Sequence, residues 1–353
     1  MVAVLVTGGS GYIGSALIAY LLRFKRITQV VNYDIKKPSW WYRRDIPEKY
    51  VLSQNSILDY QMLVSILEMY KIDIVVHLAA CSSVTACNED AYFADLTNKV
   101  GTETVIAAMK KVGCRNLVYA STSSVYGDDS DPPYTEDMEP APVSTYGKSK
   151  LSGEEIILAE HPGNYFILRL FNVVGTSGYK RVDEGLTDMG FDRIFSALMS
   201  GKMTVYGNDY STEDGTCMRD YVALMDVYRA FGLAIWRLVD SSNSELPTCR
   251  HIINIGSGVP TSVLGMINTW NEVSSCIQEE RAGNKNCRRL KSVSYTYGPR
   301  REGDPDRVYA DNSKANTILG WQPQKKIEDI IYDLAIDTNI ADHGTQDDTS
   351  VVD

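Results

Sequence analysis

The chain opens on a β-branched run, Val2-Ala3-Val4-Leu5-Val6-Thr7. This meets Gly8-Gly9-Ser10-Gly11-Tyr12-Ile13-Gly14 and then a helical pattern of apolar residues at Leu17, Ile18, Leu21 and Leu22. No other stretch restricts the fold as strongly. A strand, a glycine turn and a helix in this order form a pyrophosphate-binding unit. Gly8, Gly11 and Gly14 let backbone N–H groups approach the phosphates, and the amino end of the helix, begun by Tyr12 and Ile13, favours their charge. The next strand, Gln29 to Tyr33, ends at Asp34. A carboxylate at that distance from the glycines holds the adenosine ribose diol and repels the extra phosphate of NADP, so the spacing predicts NAD.

Strands and helices go on alternating. A short strand near Tyr50-Val51-Leu52 precedes a helix over 59–70, and a buried strand over 72–76 leads into His77-Leu78-Ala79-Ala80, whose small residues leave room for a cofactor. A long helix over 91–112, a strand over 116–120, a helix ending near His161 and a strand over 165–170 follow. This pattern predicts an α/β fold, a Rossmann-type doubly wound parallel sheet with ligands at the carboxyl ends of its strands. From Val174 the pattern becomes irregular, with a Gly- and Asp-rich stretch at 185–190, while Ile252-Ile253-Asn254-Ile255 reads as a strand returned to the first sheet. The expected division is an NAD-binding domain of residues 1–173 plus 221–255, a smaller discontinuous C-terminal substrate domain of 174–220 plus 256–340, and a polar, acidic, disordered tail at 341–353.

Chemistry is carried by Ser144-Thr145-Tyr146-Gly147-Lys148-Ser149-Lys150. On a helix, Tyr146 and Lys150 share one face. A phenol ionises near pH ~10, and a neighbouring ammonium and a positively charged nicotinamide both favour the phenolate, which predicts a base able to deprotonate an alcohol near neutrality.

The net charge of −10 argues against a nucleic-acid or anionic-membrane surface, and Trp40-Trp41-Tyr42-Arg43-Arg44 reads as a loop beside the cofactor rather than a base-stacking patch. The seven cysteines, at 81, 87, 114, 217, 249, 276 and 287, show neither paired C-x-x-C spacing nor a histidine cluster. They predict no metal site, and reduced, buried thiols (Cys114 and Cys217 among them) in a cytoplasmic protein. No apolar run approaches ~18 residues, so no membrane span is expected.

With the glycine turn, Ser121-Thr122-Ser123-Ser124-Val125-Tyr126-Gly127 and Tyr146-Gly147-Lys148-Ser149-Lys150 in place, the chain resembles the extended short-chain dehydrogenase/reductase superfamily. Within that superfamily it resembles the UDP-glucose 4-epimerase (UDP-galactose 4-epimerase) family. The blocks Tyr206 to Tyr221 and Arg300-Arg301-Glu302-Gly303-Asp304 carry the narrower likeness. The resemblance implies Thr122 as the hydroxyl partner of the reacting sugar alcohol, Tyr146 as the base, and Lys150 as the residue that bridges the nicotinamide ribose and keeps Tyr146 acidic. It further implies Arg219 and Arg301 on the diphosphate, Asp304 on the nucleotide ribose, and Asn172 and Tyr206 lining a UDP-sugar pocket. Asn98 would lie beside cofactor and substrate, and Ser56, with Ile57, beside the adenine. The implied reaction is transient oxidation at C4 of the sugar and inversion there, with NAD retained. A homodimer through the helices at 91–112 and 148–160 is expected on the same ground.

Several positions depart from the family pattern. Ser56 stands where relatives carry an Asp, Ser82 where bacterial members carry a Lys, and Met189-Gly190-Phe191-Asp192 where relatives hold the uracil. Val308 falls where members place a bulky Tyr or a small residue beside the sugar 2-substituent, which predicts that N-acetylated UDP-hexosamines are accepted. NDP-sugar 4,6-dehydratases carry an Asp-Glu pair directly after the threonine, whereas this chain has Ser123-Ser124.

Overall fold

A computed structural model of the chain describes residues 1–38, 47–128, 131–179, 193–242, 249–280, 290–301 and 304–340. The expectations placed on 40–44, 185–192, 302–303, Cys287 and the tail fall outside those residues.

The first core is built on a seven-stranded sheet in the order β10-β6-β5-β4-β1-β2-β3, with every neighbour parallel. Its strands are β1 (Val2–Thr7), β2 (Ile27–Asp34), β3 (Tyr50–Gln54), β4 (Ile74–His77), β5 (Asn116–Thr122), β6 (Asn164–Leu170) and β10 (Arg250–Ile255). Parallel strands flanked by helices are dry on both faces, which is why β1, β4 and β5 are buried at every position. The strand order reverses between β1 and β4, so the chain leaves their carboxyl ends in opposite directions and opens a crevice there. Helices Tyr12–Leu21 and Leu224–Ser242 cover one face, and Tyr60–Met69 and Gly101–Val112 the other.

The second core gathers around Trp270, Tyr221 and Leu334. There β9 (Met218–Ala223) takes β7 (Asn172–Val174) and β13 (Arg307–Val308) in parallel and β11 (Pro260–Ser262) antiparallel. A separate pair joins β8 (Lys202–Tyr206) to β12 (Ser294–Gly298). Three features lie at the seams of the expected division, which falls at about 220/221 and about 255/256. Strand β9 spans the 220/221 boundary, residues 172 and 173 pair with it, and Ala315, Leu319 and Trp321 pack into the first core. Pattern alone does not assign β7 or β9 to a sheet, because each mixes polar and apolar residues; the tertiary partner decides which sheet it joins.

The long helix expected over 91–112 is Ala91–Asp95, a π-helical turn Leu96–Val100, and Gly101–Val112. The wide turn carries Asn98 inward. Such turns are frequent at functional sites.

Candidate active site

Two sets of residues meet at the carboxyl edge of the sheet. The first is a cradle. Gly8 takes a left-handed φ of +70°, and a Cβ there would stand 2.6 Å from the Ala79 amide nitrogen; at Gly14 it would stand 2.7 Å from Gly9 Cα. Gly11 caps helix Tyr12–Leu21 without a side-chain cap, so the first-turn amides have no side-chain oxygen competing with an anion. Asp34 closes the cradle, its Oδ2 accepting from the Ser10 amide and its Oδ1 from the Lys36 amide, both at 2.9 Å. Each oxygen keeps a further lone pair for a diol. Thr7 binds the wall together: its hydroxyl meets His77 Nδ1 at 2.7 Å and accepts from the Ala79 amide at 3.3 Å. Leu78, Ala79 and Ala80 thus line up beside the glycines. The shape and donor set fit a dinucleotide diphosphate and its ribose. Ser56 and Ile57 are tied into their own surroundings: the Ser56 carbonyl accepts from Tyr33 and its hydroxyl from the Leu58 amide, and Ile57 packs against Gly101.

The second set is chemical. Thr122 ends β5, and its hydroxyl accepts from the Ser124 amide at 3.2 Å. Helix Thr145–Glu160 begins at Ser144, whose hydroxyl accepts from the Gly147 amide at 3.0 Å. A Cβ on Gly147 would stand 2.4 Å from the Ser124 carbonyl oxygen, so a glycine is what lets this helix reach the end of β5. The approach brings the Tyr146 phenol near the Thr122 hydroxyl, whose influence favours the phenolate. Lys150, one turn on, is buried with its Nζ 4.1 Å above the ring centre of Tyr119.

The electrostatics differ from expectation. Burial pushes the Tyr146 phenol up to about 12, opposed by the nearby Thr122 hydroxyl, and pushes Lys150 down to about 7. In the bare protein, desolvation is the largest influence on both groups. The lysine alone therefore does not make the phenol acidic.

Some of this site was invisible in the residue spacing. Asn98 braces it: Oδ1 accepts from the Cys81 amide at 2.8 Å, and Nδ2 donates to the Cys81 carbonyl at 3.1 Å and to the Ser149 hydroxyl at 2.9 Å. His77, driven down to about 3 by burial and then by the charge of Lys150, stays neutral and joins Thr7 to Thr102. Cys81 and Cys87 lie with sulfurs 3.2 Å apart, forming with Ala94 the small cluster on which Tyr146 packs. Nothing in a C-x₅-C spacing announces that contact. Cys81, Cys87, Cys114, Cys217 and Cys249 are free and buried, and Cys276 is free and exposed.

The residues expected on a sugar nucleotide gather on the second sheet. Asn172 pairs with Tyr221 and Val308 with Arg219. Arg219 donates from Nη2 to Asp304 Oδ1 at 2.5 Å and from Nη1 to the carbonyls of Met218 and Pro305 at 2.7 and 2.9 Å. Asp304 also accepts from the Tyr210 hydroxyl at 3.0 Å. The expected diphosphate and ribose ligands thus hold each other here. Arg301 lies 4.2 Å over the ring of Tyr206, on the rim of a cavity of about 830 Å³ lined by Asp131, Pro132, Arg300, Arg301, Asp304 and Tyr309. Among the described residues no cluster of three potential metal ligands is present, and no helix is long and apolar enough to cross a membrane.

A family profile described as GDP-mannose 4,6 dehydratase matches residues 5–334. A UDP-glucose 4-epimerase of Lactobacillus helveticus is 32% identical over 93% of this chain and 94% of its own length. The crystal structure of a UDP-glucose-4-epimerase from Stenotrophomonas maltophila, with bound NAD and formylated UDP-arabinopyranose, superposes with a TM-score of 0.80 at 26% identity, covering 95% of this chain and 97% of that one. A UDP-Glc/GlcNAc 4-epimerase from Campylobacter jejuni gives 0.75 at 26% identity over 96% and 98%. With likeness of this extent in both sequence and fold, the chain belongs to the family described as GDP-mannose 4,6 dehydratase and, within the extended short-chain dehydrogenase/reductases, to the UDP-glucose 4-epimerases, which are isomerases.

Proposed function

We propose that the chain is an NAD-dependent UDP-hexose 4-epimerase that interconverts UDP-glucose and UDP-galactose and also accepts UDP-GlcNAc and UDP-GalNAc. The observation that carries this reading is the meeting of Thr122 with Tyr146 at the carboxyl end of β5, on the same edge of the sheet as the glycine cradle that follows β1. When bound, NAD supplies the acceptor, and then the donor, of the hydrogen on C4 of the sugar. Gly8, Gly11, Gly14, Tyr12 and Ile13 would hold its diphosphate, Asp34 its adenosine ribose, Ser56 and Ile57 the adenine side, and Leu78, Ala79, Ala80 and Asn98 the approach to the nicotinamide. Thr122 orients the C4 hydroxyl, and Tyr146 takes its proton and later returns it. A nearby cation lowers the phenol from its buried value, so the base becomes competent only once the cofactor is seated. Lys150 would hold the nicotinamide ribose beside that base.

On the other wall, Arg219 and Arg301 hold the UDP diphosphate and Asp304 the ribose, with Asn172 and Tyr206 flanking the sugar. Arg219 then exchanges its contact with Asp304 for phosphate oxygens, which a guanidinium fork matches well. Val308 leaves space for an N-acetyl group. Ser123 and Ser124 supply no carboxylate for expelling a hydroxyl, which favours epimerisation over dehydration. A cytoplasmic homodimer completes the reading, supported by the free buried thiols and by exposed Tyr92, Phe93, Val100 and Leu158 on the two helices concerned.

Purified protein should invert C4 of UDP-glucose, UDP-galactose and both N-acetyl counterparts without added cofactor and without change of mass. Loss of water would indicate a dehydratase, and turnover of UDP-glucuronate alone a different epimerase.

A further inference from the structure

Helix Thr145–Glu160 carries three ionisable side chains at four-residue spacing, Tyr146, Lys150 and Glu154, and the mechanism above uses the first two. Glu154 is 1% exposed. Arg169 of β6 grips both its oxygens, Nε to Oε1 at 3.0 Å and Nη2 to Oε2 at 2.7 Å, and the hydroxyl of Ser121, the neighbour of Thr122, donates to Oε1. Stability is a weak reason for such an arrangement, because exchanging a buried ion pair for apolar side chains is often neutral or favourable. Lys150 sits one turn before the carboxylate. The groups that act on its ammonium are Glu154 on its own helix, Cys87 from helix Val84–Glu89, the Tyr119 ring on β5 and the neutral His77 on β4, with Tyr146 one turn earlier on the same helix. Burial drives the Cys87 thiol up to about 12, so it brings no negative charge at neutral pH. Glu154 is then the anion, among these groups, that acts on Lys150.

We propose that Glu154 is a positioning residue for the reaction: fixed by Arg169 and Ser121, its carboxylate supplies the counter-charge that lets Lys150 remain an ammonium in a dry site. Burial by itself drives Lys150 towards the neutral amine, and Glu154 is the foremost influence working against it. The assignment rests on the reading that Lys150 serves Tyr146 and the cofactor.

The test is an NMR titration of Lys150 in cofactor-free protein labelled with ¹³C-lysine, its signal identified by loss in Lys150→Met. In Glu154→Gln the midpoint should fall by about one pH unit or more. The alkaline limb of kcat/KM should move to lower pH by a like amount in the NAD-loaded enzyme. Glu154→Asp should restore most of both. Arg169→Met breaks the same ion pair but keeps the carboxylate, so its Lys150 midpoint should hold or rise. A purely structural pair would give equal losses of activity in Glu154→Gln and Arg169→Met with unmoved midpoints and pH profiles, which overturns the proposal. If Glu154→Gln does not fold, the double variant Glu154→Gln/Arg169→Met removes both buried charges; a lowered midpoint supports the proposal and an unmoved one overturns it. A wild-type protein without epimerase activity whose Lys150 still responds to Glu154 would sink the proposed function and leave the electrostatic coupling in place.

Discussion

Two arginine–carboxylate pairs mark the two halves of the site, and they are built differently. Arg169–Glu154 ties helix Thr145–Glu160 to β6 with side chains 3% and 1% exposed and is joined at two points. Arg219–Asp304 lies on the substrate wall at 14% and 25% exposure, joined at one point and shared with main-chain carbonyls. Opening the first would strand a buried charge, at a cost of about 3–5 kcal/mol. The second has access to water and can trade its carboxylate for a phosphate at far lower cost. On the proposed function, the floor is set before substrate arrives, whereas the wall would complete itself by exchanging partners.

If the floor carries the chemistry, Tyr146→Phe should lower kcat by roughly 10²–10⁴ while UDP binding, measured by calorimetry, stays near wild type. Near-normal turnover would remove Tyr146 as the base. On the wall, Arg219→Met should raise KM about tenfold to a hundredfold with a smaller change in kcat, the loss expected for hydrogen bonds to a charged group. A fall confined to kcat would place Arg219 on the floor instead. The cradle is sharpened by Gly8→Ala. Its left-handed backbone and the adjacent Ala79 amide predict a loss of about 1–3 kcal/mol in unfolding experiments together with poorer NAD retention.

The smallest effect concerns pH. The folded Lys150 titrates about 7, below a free lysine at ~10.4, so between these values the unfolded chain binds more protons and wild-type stability rises with pH. The penalty for burying the ammonium is complete below the lower value and fades towards the upper one. Lys150→Met should therefore raise Tm more at about pH 6 than at about pH 9. A difference independent of pH would show that the ammonium is not desolvated.

Much of the floor could be read from the chain because its signals are local. The turn at Gly8 to Gly14, the strand that stops at Asp34 and the one-turn step from Tyr146 to Lys150 each lie within one or two elements, and the regular alternation that follows admits a parallel sheet with its ligands at one edge. The wall was reached only through resemblance, since Asn172, Arg219 and Val308 have no periodic relation and meet only because β7 and β13 flank β9.

What the sequence determined by itself was the cradle, the cofactor preference expected from Asp34 and the identity of the candidate base, all consequences of short-range spacing. What tertiary structure alone decided was the state of those groups. Burial leaves Tyr146 protonated in the bare chain, sets the Cys81 and Cys87 sulfurs beside it, turns Asn98 inward on a π-helical turn and pairs Glu154 with Arg169 in a dry site. Desolvation and long-range packing depend on which surfaces close over a residue, and that is settled only when distant segments of the chain come together.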